Sequence, residues 1–493
     1  MRLEALSYTV QYECMEAARR SQLAQPVLET CFARMKTGAG LSAIAALAAG
    51  IALRFWMLRE FFEISGDSRI YGGLAKNLLL HGQYAITDNS GVLHPTLIRL
   101  PGYPLFLAAC FQIFGMENYF WVVVVQIVCE LAGCTMLAAT AWRISPEQWR
   151  TRAALATLWL ACLCPFTAVY TVATLTETLS CFAIAMALWS VACFQSRQTW
   201  SAAVGFTLAA TWAALLRPDG ALVGVAFAIP MLAALWRGAV KKRAAVALAC
   251  VVIAAAPFAA WTARNWNAFH VIQPLAPRYA TDPGEPTWPG WQRWMKTWCL
   301  DFVSTYQIYW NVPDGEFDLS KLPDHAFDSQ AQRDETAAIA KLYEDNGEDF
   351  SPEIDARFAK LADQRIADNP LRYYVWLPAG RVADMLFRPR VENLPIDLDW
   401  WVYGHHRAET RFSWAYAALN ALFLLLALIG LCMRPKLWPW MLFYFGMRCG
   451  LLATIEAPEA RYTLEFFPMV FVLGGIGIAR FTSDRRPSTE ASH

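Results

Sequence analysis

Long uninterrupted apolar stretches, set apart by short basic connections, dominate this chain. Runs long enough to cross a hydrocarbon core of about 30 Å fall near residues 40–58, 118–142, 152–170, 172–194, 200–216, 220–236, 244–262, 413–433, 437–455 and 463–480. The pattern predicts an all-α integral membrane protein with about ten transmembrane helices, the turn between the third and the fourth being the tightest. Two longer segments break the rhythm. Residues 59–117 hold a helix-like stretch from Asp67 to Leu80, then Pro-rich turns, then the apolar segment Leu105 to Phe114, too short to span and read as an interfacial helix. Residues 263–411 are rich in Trp, Pro and charge, and Ser351-Pro352-Glu353 predicts a helix start there, because Ser caps and Pro suits the first turn.

This gives an amino-terminal leader (1–36), a transmembrane module with the first loop inside it (37–262), a large, mainly helical loop region (263–411), C-terminal transmembrane helices (412–482) and a tail (483–493). The leader opens Met1-Arg2-Leu3-Glu4 and carries Glu13, Glu16, Arg19 and Arg20 before any long apolar run, so it is expected to be cytoplasmic rather than a signal peptide. Basic residues near span ends are retained in the cytoplasm. With the leader inside, so are Arg143 to Arg152, Arg197, the cluster Arg237, Lys241, Lys242 and Arg243, the pair Arg434 and Lys436, and the tail with Arg480, Arg485 and Arg486. Both long loops then face outward, and the protein is expected in the inner (plasma) membrane with its chemistry on the periplasmic, external side.

Composition agrees: 56% of residues are apolar and only 17% charged, outside the usual range of a soluble domain. A net charge of +1 supplies no basic face for a nucleic-acid partner. The thirteen cysteines form no CxxC pair and lie mostly in apolar runs, so they read as small packing residues.

Ionisable residues against the membrane are costly and usually either pair or act. Six fall on the external side: Asp67 after the first span, Arg99 before Pro101-Gly-Tyr103-Pro104, Glu177 heading the fourth span, Arg217 before Pro218-Asp219, Arg264 in Arg264-Asn265, and Arg461 in Glu459-Ala-Arg461-Tyr462. Arginine offers a fork of donors matched to phosphate, and a carboxylate among arginines can act as a base toward a hydroxyl. No P-loop or dinucleotide fingerprint is present, and an external site has little access to nucleotide-activated donors. A phosphate-bearing substrate there is expected to be carried on a lipid.

Asp67 with Tyr71, Arg99 in Arg99-Leu-Pro-Gly-Tyr103-Pro104, Glu177, Arg264-Asn265 and Arg461-Tyr462-Thr463 together resemble the GT-C glycosyltransferases, in the bacterial branch related to protein O-mannosyltransferases and to the aminoarabinose transferase of lipid A. The resemblance spans roughly residues 40 to 480. It implies a sugar donor linked to polyprenyl phosphate, transfer with inversion to a glycan, lipid or protein acceptor, Asp67 as catalytic base and Glu177 as a second acid. It implies Arg99 at the lipid phosphate, with Arg264, Arg461, Arg217, Tyr71, Tyr103 and Tyr462 as further donor-binding positions. The chain departs from its eukaryotic relatives in carrying no appended sugar-binding module. It has Asp67 alone in place of an Asp-x-Asp pair, so no cofactor is settled and a divalent metal is left open.

Plainer readings stand beside these. Arg217 is expected to snorkel to the interface or bridge to Asp219, and Arg54 to snorkel from the first span. His405-His406 lacks a third ligand at metal spacing. Trp288, Trp291, Trp294 and Trp298 are expected to form a packing face rather than a sugar platform. The competing functions are a multi-span transporter or flippase, and a polymerase or ligase using diphosphate-linked glycans.

Overall fold

The computed structural model describes residues 38–483 apart from 65, 237–239, 313, 314, 403 and 405. The expected cytoplasmic leader, nearly all of the tail, and His405 lie outside the described residues. The first half of the chain runs through α1 (Gly38–Phe61), α2 (Asp67–His81), a hairpin of β1 (Ala85–Thr87) and β2 (Leu93–Pro95), α3 (Gly102–Phe114), α4 (Tyr119–Ile144), α5 (Arg150–Leu163), α6 (Pro165–Val172), α7 (Glu177–Arg197), α8 (Trp200–Leu216), α9 (Ala221–Leu235) and α10 (Val240–Phe269). The loop region adds α11 (Pro289–Lys296), α12 (Gln330–Asp345), α13 (Pro352–Asp368) and α14 (Leu377–Phe387), and the chain closes on α15 (Arg407–Cys432), α16 (Trp438–Leu452) and α17 (Phe467–Ser483).

Helix stands at all ten apolar runs, but the ten are not equivalent. Among the described residues, seven segments are long and apolar enough to cross a membrane: α1, α4, α7, α9 with its preceding turn, α10, α15 and Ala460–Phe481, which holds most of α17. The third expected span is two helices, α5 and α6, meeting at 50°. Pro165 starts α6 after an extended Cys164, and because proline has no amide it cannot continue the ladder of α5. The fifth and ninth, α8 and α16, have 17 and 15 residues, a rise of about 26 and 22 Å at ~1.5 Å per residue, which is at or below the lower edge for spanning.

The core forms where small residues let helices touch. A Cβ at Gly430 of α15 would sit 1.8 Å from the Leu473 carbonyl, and one at Gly475 would sit 2.1 Å from the Thr157 hydroxyl of α5. These contacts draw α5, α15 and α17 together by backbone approach, the usual route to tight packing where lipid supplies no hydrophobic drive. The last span is 83% buried over its apolar window against 6% for α10, which places the one at the centre and the other at the edge.

The first loop begins as expected with α2, but where the sequence pattern indicates only turns it forms the antiparallel hairpin, Ala85 opposite Pro95 and Thr87 opposite Leu93. Asp88 makes the reversal by accepting from the amides of Ser90 and Val92, with Gly91 at φ +85°. The large loop region has its own aromatic core. Trp291, Trp294 and Trp298 are each at most 2% exposed, and they pack with Phe317, Phe350 and Phe358; they are therefore interior residues, as their spacing indicates. Ser351 caps α13 by accepting from the Ile354 amide. Ser351→Ala is expected to cost about 1 kcal/mol, measurable as a small lowering of Tm with the fold unchanged.

Candidate functional site

The site grows from three chain reversals on one face of the bundle. Asp67 is the first residue of α2, directly after Gly66, which sits at φ +49° and so allows the sharp entry. Arg99 closes the hairpin loop immediately before α3, and Arg461 lies on the short 3-10 segment Ala460–Phe466 that leads into α17. The three meet. Arg99 Nη2 donates to Asp67 Oδ1 at 2.7 Å, while Arg461 donates through Nη1 and Nη2 to Asp67 Oδ2 at 3.3 Å.

A second tier lies beneath them. Arg461 Nη1 is 3.9 Å from Glu177 Oε1, and Arg217 Nη1 donates to the same oxygen at 3.2 Å. Arg217 also reaches Asp219 at 3.1 Å and Glu465 at 3.2 Å, and Arg448 donates to Asp219 at 2.8 Å and Glu465 at 2.7 Å. Side-chain exposure falls from 26% at Asp67, 24% at Arg99 and 21% at Arg461 to 2% at Glu177 and 0% at Arg448, so substrate can touch the first three and not the last two.

The tyrosines line this network. Tyr71 meets Tyr103 edge to face at 5.1 Å, and the Arg99 guanidinium stands 6.0 Å from the Tyr71 ring. Tyr103 is fully buried and donates to Gln126 Oε1 at 2.7 Å, so it supports the site from within. Tyr462 donates its hydroxyl to Glu459 and lies under the guanidiniums of Arg217 and Arg461, at 5.2 and 5.5 Å.

Charge follows from this placement. Burial acts to raise the Asp67 carboxyl, but Arg99 and Arg461 outweigh it and hold Asp67 below the usual carboxylate range. Burial pushes the Tyr71 phenol up to about 12, so it stays a neutral donor. Arg99 and Arg461 present guanidinium donors of the geometry that matches a phosphate, and Arg461 is held at the same time by Glu459, whose Oε2 lies 2.5 Å from its Nε. Apart from Asp67, the described residues bring Asp397, Asp399 and His406 within metal-ligand reach of one another. This gives His406 two carboxylate neighbours on the segment before α15.

Two expected positions are corrected or displaced. Arg54 does not snorkel: it is fully buried and pairs with Glu130 at 2.5 Å. Arg264 stands apart from Asp67, donating to the backbone carbonyls of Thr96 and Tyr84 and packing against Trp261 and Phe269; it braces the hairpin loop that carries Arg99. Arg217 does bridge to Asp219 but also binds Glu177. Arg448, Glu465 and Glu130 were not singled out in the sequence. Their signal was available, since each is an ionisable residue inside or at the head of an apolar run.

Residues 94–261 match the family described as dolichyl-phosphate-mannose-protein mannosyltransferase. That stretch, about a third of the chain, takes in Arg99, Glu177 and Arg217, while Asp67, Arg264 and Arg461 lie outside it. No curated protein matches the chain. Among solved structures, ArnT from Cupriavidus metallidurans bound to undecaprenyl phosphate is 16% identical, with 91% of this chain and 79% of that chain covered and a TM-score of 0.39. The same protein in the apo state is 14% identical, with 90% and 78% covered and a TM-score of 0.38.

Proposed function

We propose that this multi-pass membrane protein, whose residues 94–261 carry the pattern of a mannosyltransferase family, is a glycosyltransferase that moves a sugar from a polyprenyl-phosphate donor to an acceptor hydroxyl at the external face. The observation that carries this reading is Asp67, a carboxylate at the rim of the membrane bundle held between Arg99 and Arg461. A base and two phosphate-matched donors stand within one hydrogen bond of each other, which is the arrangement direct displacement at an anomeric carbon requires.

In this mechanism the acceptor oxygen attacks the anomeric carbon from the face opposite the phosphate. Its proton passes to Asp67, the bond from carbon to phosphate oxygen breaks, and polyprenyl phosphate departs carrying the electron pair. Arg99 and Arg461 stabilise the charge that develops on the leaving phosphate. An incoming phosphate competes with Asp67 for the same guanidiniums, so donor binding loosens both ion pairs and strengthens Asp67 as a base at the moment it is needed. Glu177 and Arg217, one tier below, hold Arg461 and Tyr462 in place. Inversion follows from a single displacement.

Arg99→Ala is expected to lower transfer roughly 10²–10³-fold, the usual result of removing one preorganised donor, as read by release of polyprenyl phosphate. Arg99→Met should also shift the acid limb of the rate profile. Asp67 works as a base only above its own pKa; with its leading guanidinium gone that pKa rises, and activity is lost at a higher pH than in wild type.

The deciding experiment offers the purified protein a panel of polyprenyl-monophosphate sugars and their diphosphate-linked counterparts, with a membrane extract as acceptor source. Consumption of a monophosphate donor by wild type supports the transferase. Consumption of diphosphate donors alone replaces it with a polymerase or ligase, and consumption of neither, with the protein folded and the extract competent, replaces it with a transporter.

A further inference from the structure

A cleft of about 320 Å³ opens between the hairpin loop, two residues before Arg99, and the first turns of the large loop region. One wall is Leu97, whose amide donates to Asp282 Oδ1 at 2.7 Å. Two residues further along the chain is Arg99. The other wall carries Arg278, which binds Glu456 at 3.1 Å, and five residues beyond Glu456 is Arg461. The cleft therefore adjoins the loop that carries Arg99, and its Arg278 wall is tied through Glu456 to the segment that leads to Arg461.

Its chemistry differs from that of the donor site. Arg278, the cation among its lining residues, is engaged by Glu456 and lies 5.2 Å over the ring of Tyr279, which fixes that ring as a wall. The lining carboxylates Asp282 and Glu285 accept from the amides of Leu97 and Asp282. Two carboxylates and a committed guanidinium repel an anion, so a second phosphate is disfavoured. An aromatic face, carboxylate acceptors and the hydroxyl of Thr287 suit the apolar face and hydroxyl edge of a sugar ring. The volume is at the low end of the range for ligand pockets, about 300–1,000 Å³, enough for a ring or two and too small for a lipid.

We propose that this cleft is the acceptor subsite and that it takes the terminal ring of a neutral, hydroxyl-bearing glycan. The inference rests on the transferase reading for its role in the reaction, while binding to the cleft is measured without turnover. The full-length protein in nanodiscs is compared with Tyr279→Ala and Thr287→Val by saturation-transfer NMR, using maltose, mannobiose and chitobiose as probes. Glucose 1-phosphate serves as the anionic comparison and a Ser/Thr-rich peptide as the protein one. At least one neutral disaccharide is expected to bind wild type and to bind Tyr279→Ala roughly five- to thirtyfold more weakly, the loss of one to two kcal/mol usual for an aromatic anchor. Thr287→Val should weaken it less. Undecaprenyl phosphate should raise the Tm of both variants as much as that of wild type, showing that fold and donor site are intact. The proposal is overturned if no neutral disaccharide binds wild type, if Tyr279→Ala binds equally well, or if the Tyr279-dependent signal belongs to the phosphorylated sugar or the peptide. Failure of undecaprenyl phosphate to stabilise wild type counts against the transferase reading and leaves the saccharide result to decide the cleft.

Discussion

Asp67→Asn is expected to lower sugar transfer roughly 10²–10⁴-fold, the range lost when a positioned general base is removed, while the protein remains folded and binds polyprenyl phosphate. Asparagine keeps the shape of the side chain, and its one carbonyl oxygen can still accept from one of the two guanidiniums that Asp67 holds on separate oxygens, so at least one arm stays in place. It cannot take a proton. Donor affinity should hold or improve, because the two guanidiniums lose the carboxylate that competes with phosphate for them. The check is a paired measurement of turnover and of binding by thermal shift. Loss of both together would mark Asp67 as a structural tie between α2 and the Arg461 segment, and retention of turnover within about twofold would remove it from the chemistry.

The second large effect concerns stability. Arg54 and Glu130 form an ion pair deep in the bundle, and Arg54 also donates to the carbonyls of Gly50, Ala161 and Cys162. The last two lie at the end of α5, where Pro165 supplies no amide to continue the helix. Arg54 thus satisfies carbonyls left open by the break between α5 and α6, and an open carbonyl in the bilayer interior is costly. Glu130 neutralises the arginine and accepts from the Thr171 hydroxyl of α6. Glu130→Ala is expected to destabilise by about 3–5 kcal/mol, because it leaves a buried charge without its partner. Arg54→Met with Glu130→Leu should recover much of that loss and not all of it, since the α5 carbonyls still lack a donor. Thermal unfolding in nanodiscs reads both. Equal stability of Glu130→Ala and wild type would show that water reaches the pair.

The candidate residues were legible because they are polar against a membrane, and such residues stand out in any apolar background. Asp67, Arg99, Glu177, Arg217 and Arg461 could be found that way, and all five lie in one connected network. Arg264 shared the same signal and lies elsewhere. An arginine at a span end looks the same in sequence whether it faces a substrate or, as here, two backbone carbonyls. Arg448 and Glu465 went unread because a single charge within an apolar run resembles a tolerated exception until its partner is known.

What the sequence determined by itself was the membrane class, the helical segments and the polar positions, since each depends on local composition and on the length of chain that crosses a bilayer. The start of α2 and the Ser351 cap were equally local. Tertiary structure decided which segments are full spans, because Pro165 breaks a helix only to the extent that another element, here Arg54, satisfies the carbonyls it frees. It also decided the pairing of the charges: Asp67 and Arg461 are 394 residues apart, and nothing in the chain between them records that they meet. Long-range pairing depends on which helices pack together, as α15 and α17 do at Gly430 and α17 and α5 do at Gly475, a property of surfaces in contact that no local pattern contains.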